Sequence, residues 1–332
     1  IHKRGILIMK ALVLTGKKQL EIEDIKEPEI KPDEVLIHTA YAGICGTDKA
    51  LYAGLPGSAS AVPPIVLGHE NSGVVTNRVT VDPNIYCGQC KYCRTQRPEL
   101  CEHLDAVGVT RNGGFEEYFT APAKVVYPIP DDVSLKAAAV VEPISCAMHG
   151  VDLLETHPYQ KALVLGDGFE GQLFAQILKA RGIHEVTLAG RSDEKLENNR
   201  KHFGVKTINT TKEEIPADAY DIVVEAVGLP ATQEQALAAA ARGAQVLMFG
   251  VGNPDDKFSV NTYDVFQKQL TIQGAFINPY TFEDSIALLS SGVVDPLPLF
   301  SHELDLDGVE GFVSGKLGKV SKAVVKVGGE EA

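Results

Sequence analysis

Nowhere does the chain approach the ~18 consecutive apolar residues that a membrane-spanning helix requires. Basic residues are in deficit as well. Lys+Arg number 31 against 44 Asp+Glu, a formal net charge of −13, so no chain-wide field would draw phosphate backbones or anionic lipid. Nucleic acid and membrane are therefore not expected partners. Internal repeats and low-complexity segments are missing too. The first residues, IHKRGILIMKALVLTG, have a basic start and an apolar stretch, but Lys10 interrupts it and no small-residue cleavage site follows, which argues against a signal peptide. Met9 reads as the natural start, Ile1 to Ile8 as a cloning remnant or upstream extension, and the cytoplasm as the expected compartment.

What is present reads as two folded parts. A length of 332 residues suggests about two domains at roughly 150 residues each. The 44% hydrophobic and 23% charged content is that of a globular protein. From Lys10 to about Val141, short β-type runs (ALVLT, EVLIHTAYA, VVTNRVTV, GFEEYFTAP) are broken by Gly and Pro, which predicts a mostly antiparallel domain. From about Tyr159, strands and helices alternate: KALVLG, FEGQLFAQILKARG, HEVTLAG, DEKLENNRKHFG, YDIVVEAVG, ATQEQALAAAARG, AQVLMFGVG. That alternation predicts a doubly wound parallel sheet. The expected division is 9–145, 146–278, and a return to the first part over 279–332.

Six cysteines are present, and Cys87, Cys90, Cys93 and Cys101 fall within one loop at CxxCxxCx7C spacing. Without a secretion signal, such clustering points to metal. Four thiolates can close a tetrahedral zinc site with no open position for chemistry; an iron–sulfur cluster is the alternative. Cys45 in GICGTD, His69 in GHE and Glu142 in VEPISC would each be weak alone. Together they supply a thiolate, an imidazole and a carboxylate, a set that leaves zinc a fourth position for water or substrate. Cys146 reads as a small buried side chain. Gly166, Gly168 and Gly171 form GxGxxG between a strand and a helix, with Phe169 and Glu170 at the variable places. This context predicts a dinucleotide pyrophosphate at the helix N-terminus, with Glu170 pointing outward. The acid that would accept from the ribose hydroxyls of NAD is missing, because Gly190 stands where it is expected. Arg191, flanked by Gly190 and Ser192, suits a 2′-phosphate, so NADP is expected, with NAD the alternative.

Taken in order, GICGTD, GHE, CGQCKYCRTQRPELC and GDGFEG resemble the zinc-containing medium-chain dehydrogenase/reductase superfamily, over nearly the whole chain from Lys10. The resemblance implies an α/β protein with a GroES-like, mostly antiparallel catalytic domain and a Rossmann coenzyme domain. It implies two zinc ions per chain: catalytic zinc on Cys45, His69 and Glu142, and structural zinc on the four clustered cysteines. Glu70 is implied to approach the metal or orient its ligands, and Thr47 to hold the substrate oxygen and begin a proton relay. Relatives often carry a relay His three residues after that Thr, where this chain has Ala50. Family members also usually have about a dozen more residues in the segment GHENSGVVTNRVTVDP.

Glu142 in VEPISC and the CGTD turn resemble the polyol and polyol-phosphate branch. More narrowly, CGTDKALYAGLPG, VDPNIYCGQCKYC and GVTRNGGFEEYF resemble the D-arabitol-phosphate dehydrogenases. The implied reaction oxidises a D-arabitol phosphate to xylulose 5-phosphate or ribulose 5-phosphate, with Lys49 and Arg111 as candidates to meet the phosphate. Ile277 and Asn278 replace the Arg-Tyr pair that binds free polyols in relatives. Alternatives are an unphosphorylated polyol, threonine or butanediol dehydrogenase, or a non-catalytic NADP-binding relative. A homodimer or homotetramer is expected, because AQVLMFGVG and LTIQGAF form apolar strands at a sheet edge.

Overall fold

The computed structural model describes residues 8–331; apart from Ile8, the expectation for Ile1 to Ile8 lies outside the described residues. The chain divides into two compact units. Unit 1 is Ile1–Pro143, Phe282–Ser290 and Leu299–Ala332; unit 2 is Ile144–Thr281 and Ser291–Pro298. Residues 144–145, 279–281 and 291–298 thus group with unit 2, whereas the sequence placed 9–145 and all of 279–332 with the first part. No described helix is long and apolar enough to cross a membrane.

Unit 1 opens with an antiparallel hairpin of β1 (Ile8–Gly16) and β2 (Gln19–Lys26), followed by the long strand β3 (Glu34–Ile44) and the short helix α1 (Gly46–Tyr52). β4 (Ile65–Val66) pairs with β1, and β5 (Glu70–Val74) runs back through β6 (Arg78–Val81). The sequence read VVTNRVTV as one strand, and the structure corrects it to a hairpin. Val74 faces Arg78, and the Val75 N–H donates to Asn77 O at 3.1 Å, with Asn77 in a turn that such a side chain favours.

β7 (Asn84–Ile85), the helical turn α2 (Lys91–Arg94) and β8 (Asp105–Ala106) frame the four-cysteine loop. β9 (Tyr118–Pro122) begins later than the run GFEEYFTAP suggested, since Glu116 makes only an isolated bridge to Ala11. β10 (Val126–Pro128) and α3 (Leu135–Ala138) follow, and α4 (Val141–Asp152) carries the chain into unit 2.

Unit 2 comprises β11 (Lys161–Leu165), α5 (Phe169–Ala180), β12 (Glu185–Gly190), α6 (Asp193–Phe203), β13 (Lys206–Asn209), β14 (Tyr220–Glu225), α7 (Pro230–Ala239), β15 (Ala240–Met248), α8 (Thr262–Lys268) and β16 (Thr271–Gly274). Its six strands lie in the order β13-β12-β11-β14-β15-β16 with every pairing parallel. Residues 162–165 of β11 and 222–224 of β14 are apolar runs, as strand segments buried on both faces are, and Leu163, Val223 and Val246 meet in their core. The order reverses between β11 and β14, the switch point at which such sheets bind ligands. One boundary moves: Ala240 to Gly243, read as the end of a helix, belong to β15, because Ala240 pairs with Tyr220 through an irregular register. β16 is an edge strand with Ile272 exposed, and Phe266 on α8 is 80% exposed.

The last segment returns α9 (Phe282–Ser290), β17 (His302–Leu304), α10 (Val309–Val313) and β18 (Ala323–Lys326). β18 inserts between β3 and β17, antiparallel to β3, in the sheet β10-β6-β5-β3-β18-β17, to which β9 adds by pairing with β3. Ile37, Val81 and Phe119 pack within one core of this unit, and Leu14, Ile44, Phe115 and Val325 within another.

Candidate active site and metal centres

Cys45 follows β3 directly and caps α1. Its Sγ accepts the Thr47 N–H at 3.2 Å, while its own N–H donates to Asp48 Oδ2 at 3.0 Å. This reciprocal pair is a capping box with sulfur in place of the usual hydroxyl. The thiol therefore points off a fixed helix start, and His69 Nε2 lies 3.1 Å from it. Asp48 also acts on the imidazole. Its Oδ1 stands 3.5 Å from His69 Nδ1, the carboxylate–imidazole arrangement that fixes the tautomer and orientation of a ligating histidine. Sequence reasoning passed over Asp48, although it stands in the CGTD turn. Burial works to lower the His69 pKa, but Cys45 and Asp48 more than offset it and hold His69 well above its ordinary 6.5.

Glu70, beside His69 at the start of β5, is fully buried, and its Oε1 accepts from Lys322 Nζ at 2.5 Å. Room for this carboxylate comes from Gly43, where a Cβ would approach Glu70 Oε2 to 1.9 Å. The structure brings Cys45, His69 and Glu70 together, with ligand atoms within 4.8 Å of one another. Glu142 is buried on the first turn of α4 and stands outside that group of three. Glu70 Oε2 has no hydrogen-bond partner among the described residues. A thiol, an imidazole and a buried carboxylate gathered this closely form a donor set that a zinc ion takes. The Thr47 hydroxyl likewise has no hydrogen-bond partner among the described residues, its backbone N–H making the local contact instead.

The ligand atoms of Cys87, Cys90, Cys93 and Cys101 also lie within 4.8 Å of one another. Backbone N–H groups of Cys87 and His103 donate to Cys101 Sγ, and that of Cys90 to Cys87 Sγ, each at 3.4 Å. The N–H groups of Cys93 and Glu102 hold the Cys90 thiol down at about 6, while desolvation pushes Cys93 up to about 12. Four sulfurs gathered around one point suit a closed metal site.

In unit 2, Gly168 caps α5, and Gly171 is forced by packing: a Cβ there would meet Gly166 O at 1.9 Å. Phe169 is buried. Glu170, expected to point outward, is instead half-buried in the first turn of α5, where the helix dipole favours a carboxylate. Arg191 is exposed, and Ser192 caps α6 by accepting the Lys195 N–H. Asp167 was not among the expected site residues. Its Oδ2 accepts from both Arg191 N–H and Ser192 N–H, so a variable position of the glycine motif reaches the end of β12.

One of the two substrate candidates changes. Arg111 donates to Glu34 Oε1 at 2.6 Å and to Thr120, so its guanidinium is held between strands and is not available to a phosphate. Burial works to raise the Glu34 carboxyl, but Arg111 keeps it below its usual range. Lys49 is exposed on α1. Asn278 is buried and donates to Ser145 Oγ at 2.7 Å, a structural use of its position.

Known proteins share this architecture. Residues 31–131 match the alcohol dehydrogenase GroES-like domain, and residues 171–291 match the zinc-binding dehydrogenase family. D-arabinitol dehydrogenase 1 of Uromyces fabae is 30% identical over 323 residues, 89% of this chain and 90% of that protein. A zinc-binding dehydrogenase of Sinorhizobium meliloti 1021, solved bound to NADP, superposes with a TM-score of 0.92 at 30% identity, covering 97% of this chain and all (100%) of that one. Galactitol-1-phosphate dehydrogenase of Escherichia coli superposes with a TM-score of 0.86 at 26% identity, over 96% of this chain and 100% of that one. The chain belongs to the zinc-binding alcohol dehydrogenases of the medium-chain dehydrogenase/reductase superfamily. Within it, the relatives support the polyol dehydrogenase branch.

The buried Glu70–Lys322 pair generates a stability prediction. Lys322→Met should leave the Glu70 charge uncompensated and destabilise the protein by roughly 3–5 kcal/mol. The double variant with Glu70→Gln should recover most of that loss in urea denaturation.

Proposed function

We propose that this protein oxidises a secondary alcohol of a polyol phosphate, of the D-arabitol phosphate type, to the ketose phosphate, using a nicotinamide dinucleotide. The observation that carries the reading is the cluster of Cys45, His69 and Glu70 with the Thr47 hydroxyl two residues from the thiol. When bound, zinc supplies Lewis acidity and the nicotinamide accepts hydride. Cys45 and His69 would hold the metal, with Glu70 or Glu142 as the carboxylate ligand. Asp48 keeps the imidazole in one orientation, and Lys322 keeps the Glu70 carboxylate in place. The Thr47 hydroxyl takes the alcohol proton and passes it on. With Ala50 at the outlet position used by relatives, the onward path runs through water or ribose hydroxyls. The phosphate reading is supported by the likeness to galactitol-1-phosphate dehydrogenase and by the use of Asn278 as a packing residue. With Arg111 bound to Glu34, Lys49 is the remaining candidate cation.

Metal analysis should find two zinc ions per chain, and one in Cys45→Ala. A single ion unaffected by that substitution would remove the open site. D-arabitol phosphate should show a much higher kcat/KM than D-arabitol, sorbitol, threonine or butanediol, and Lys49→Ala should narrow the gap. Comparable rates on phosphorylated and free polyols would point to an unphosphorylated substrate, and no turnover of any alcohol to a binding protein. The exposed edge of β16, flanked by Phe266, is the surface on which we place a second copy of the chain. Light scattering should therefore report a dimer or tetramer, and a monomer would exclude this arrangement.

A further inference from the structure

The turn after β11 contains an acid that the strand-end reading of coenzyme choice leaves out, and its role in coenzyme selection rests on the dehydrogenase reading above. Asp167 lies between Gly166 and Gly168 and is half-buried. Its Oδ2 accepts from the N–H groups of Arg191 at 2.8 Å and Ser192 at 2.7 Å, 24 and 25 residues further along. The carboxylate thus lies against the end of β12, where an acid meets the adenosine ribose in NAD sites of this fold. Gly190 fits the same arrangement. A Cβ there would come within 2.3 Å of Asp167 Cβ and Cγ and 2.4 Å of Oδ2, so the space of a strand-end side chain is already filled. Oδ1 has no hydrogen-bond partner among the described residues and stays available as an acceptor.

We infer that Asp167 is the coenzyme-selecting acid of this chain, supplied from the glycine-rich turn instead of the strand end, and that it favours a 2′-hydroxyl over a 2′-phosphate. A ribose hydroxyl donates to Oδ1. A 2′-phosphate would find these two N–H groups already held by Oδ2, and it would bring a second negative charge against the first. Of the cations around this turn, Lys212 is bound to Asp193 Oδ2 at 2.7 Å, while Arg191 and Lys195 flank Asp193 and Glu194 in the sequence. This inference reverses the NADP preference expected from Gly190 and Arg191.

The test uses two adenosine fragments, 5′-AMP and 2′,5′-ADP, titrated by calorimetry into the full-length protein and into Asp167→Asn. The amide oxygen of that variant can still accept both backbone N–H groups, so its melting temperature should match the wild type. Wild type should bind 5′-AMP more tightly than 2′,5′-ADP. Asp167→Asn should shift the ratio of the two dissociation constants toward 2′,5′-ADP by roughly ten- to a hundredfold, the range of one charged hydrogen bond. Tighter wild-type binding of 2′,5′-ADP would overturn the inference without any variant, as would a ratio unchanged in a folded Asp167→Asn. In both cases the coenzyme reading survives. Binding of neither fragment to wild type would remove the coenzyme reading and the inference with it.

Discussion

Two opposite charges meet in the interior of unit 1, Glu70 at the start of β5 and Lys322 just before β18. Desolvating them is costly, and only close mutual contact with good geometry offsets it. The arrangement therefore constrains everything around it. Gly43 on β3 must lack a side chain, β5 must present Glu70 inward beside His69, and the far end of the chain must come back to deliver the lysine. One oxygen of Glu70 is bound to the lysine, and a carboxylate oxygen of the same residue lies within 4.8 Å of the ligand atoms of Cys45 and His69. A carboxylate held this way is fixed in place before any cation arrives.

The Cys45 turn shows the same economy of parts. Asp48 closes the capping box of α1 and stands against the His69 imidazole, so the start of a seven-residue helix and the setting of that ring depend on one side chain. Helices this short are marginal on propensity alone. The cap and the buried Leu51 and Tyr52 are what anchor it. In unit 2, Asp167 likewise joins two turns, that before α5 and that before α6, with a single carboxylate oxygen.

Local features were legible in the sequence because local spacing determines them. The four clustered cysteines converge, the glycine motif opens α5 after β11, and the alternating segments form a parallel sheet. Three things were not legible, each for a physical reason. VVTNRVTV contains enough β-branched residues to read as one strand, and only pairing of Val74 with Arg78 reveals the reversal. Lys322 gives no signal, since its partner lies 252 residues earlier and a lone lysine ahead of a strand is usually solvated. Asp167 was hidden by its own motif: the variable place in GxGxxG carries no pattern, while the glycine at the strand end looked like a missing acid when the acid had come from elsewhere.

The route of the chain also orders events in time. Unit 2 is inserted within unit 1, and its main segment, Ile144–Thr281, is complete before α9, β17 and β18 exist. At synthesis rates of about 5–20 residues per second, Lys322 leaves the ribosome roughly 10–50 s after Glu70, given their separation of 252 residues. Through that interval β3 lacks β18 on one side, and the Glu70 carboxylate lacks its cation. The nascent first half must wait as an open-edged sheet with a charged interior, while the inserted unit can already have folded. The exposed edge of β3 is thus the part of unit 1 that is completed last.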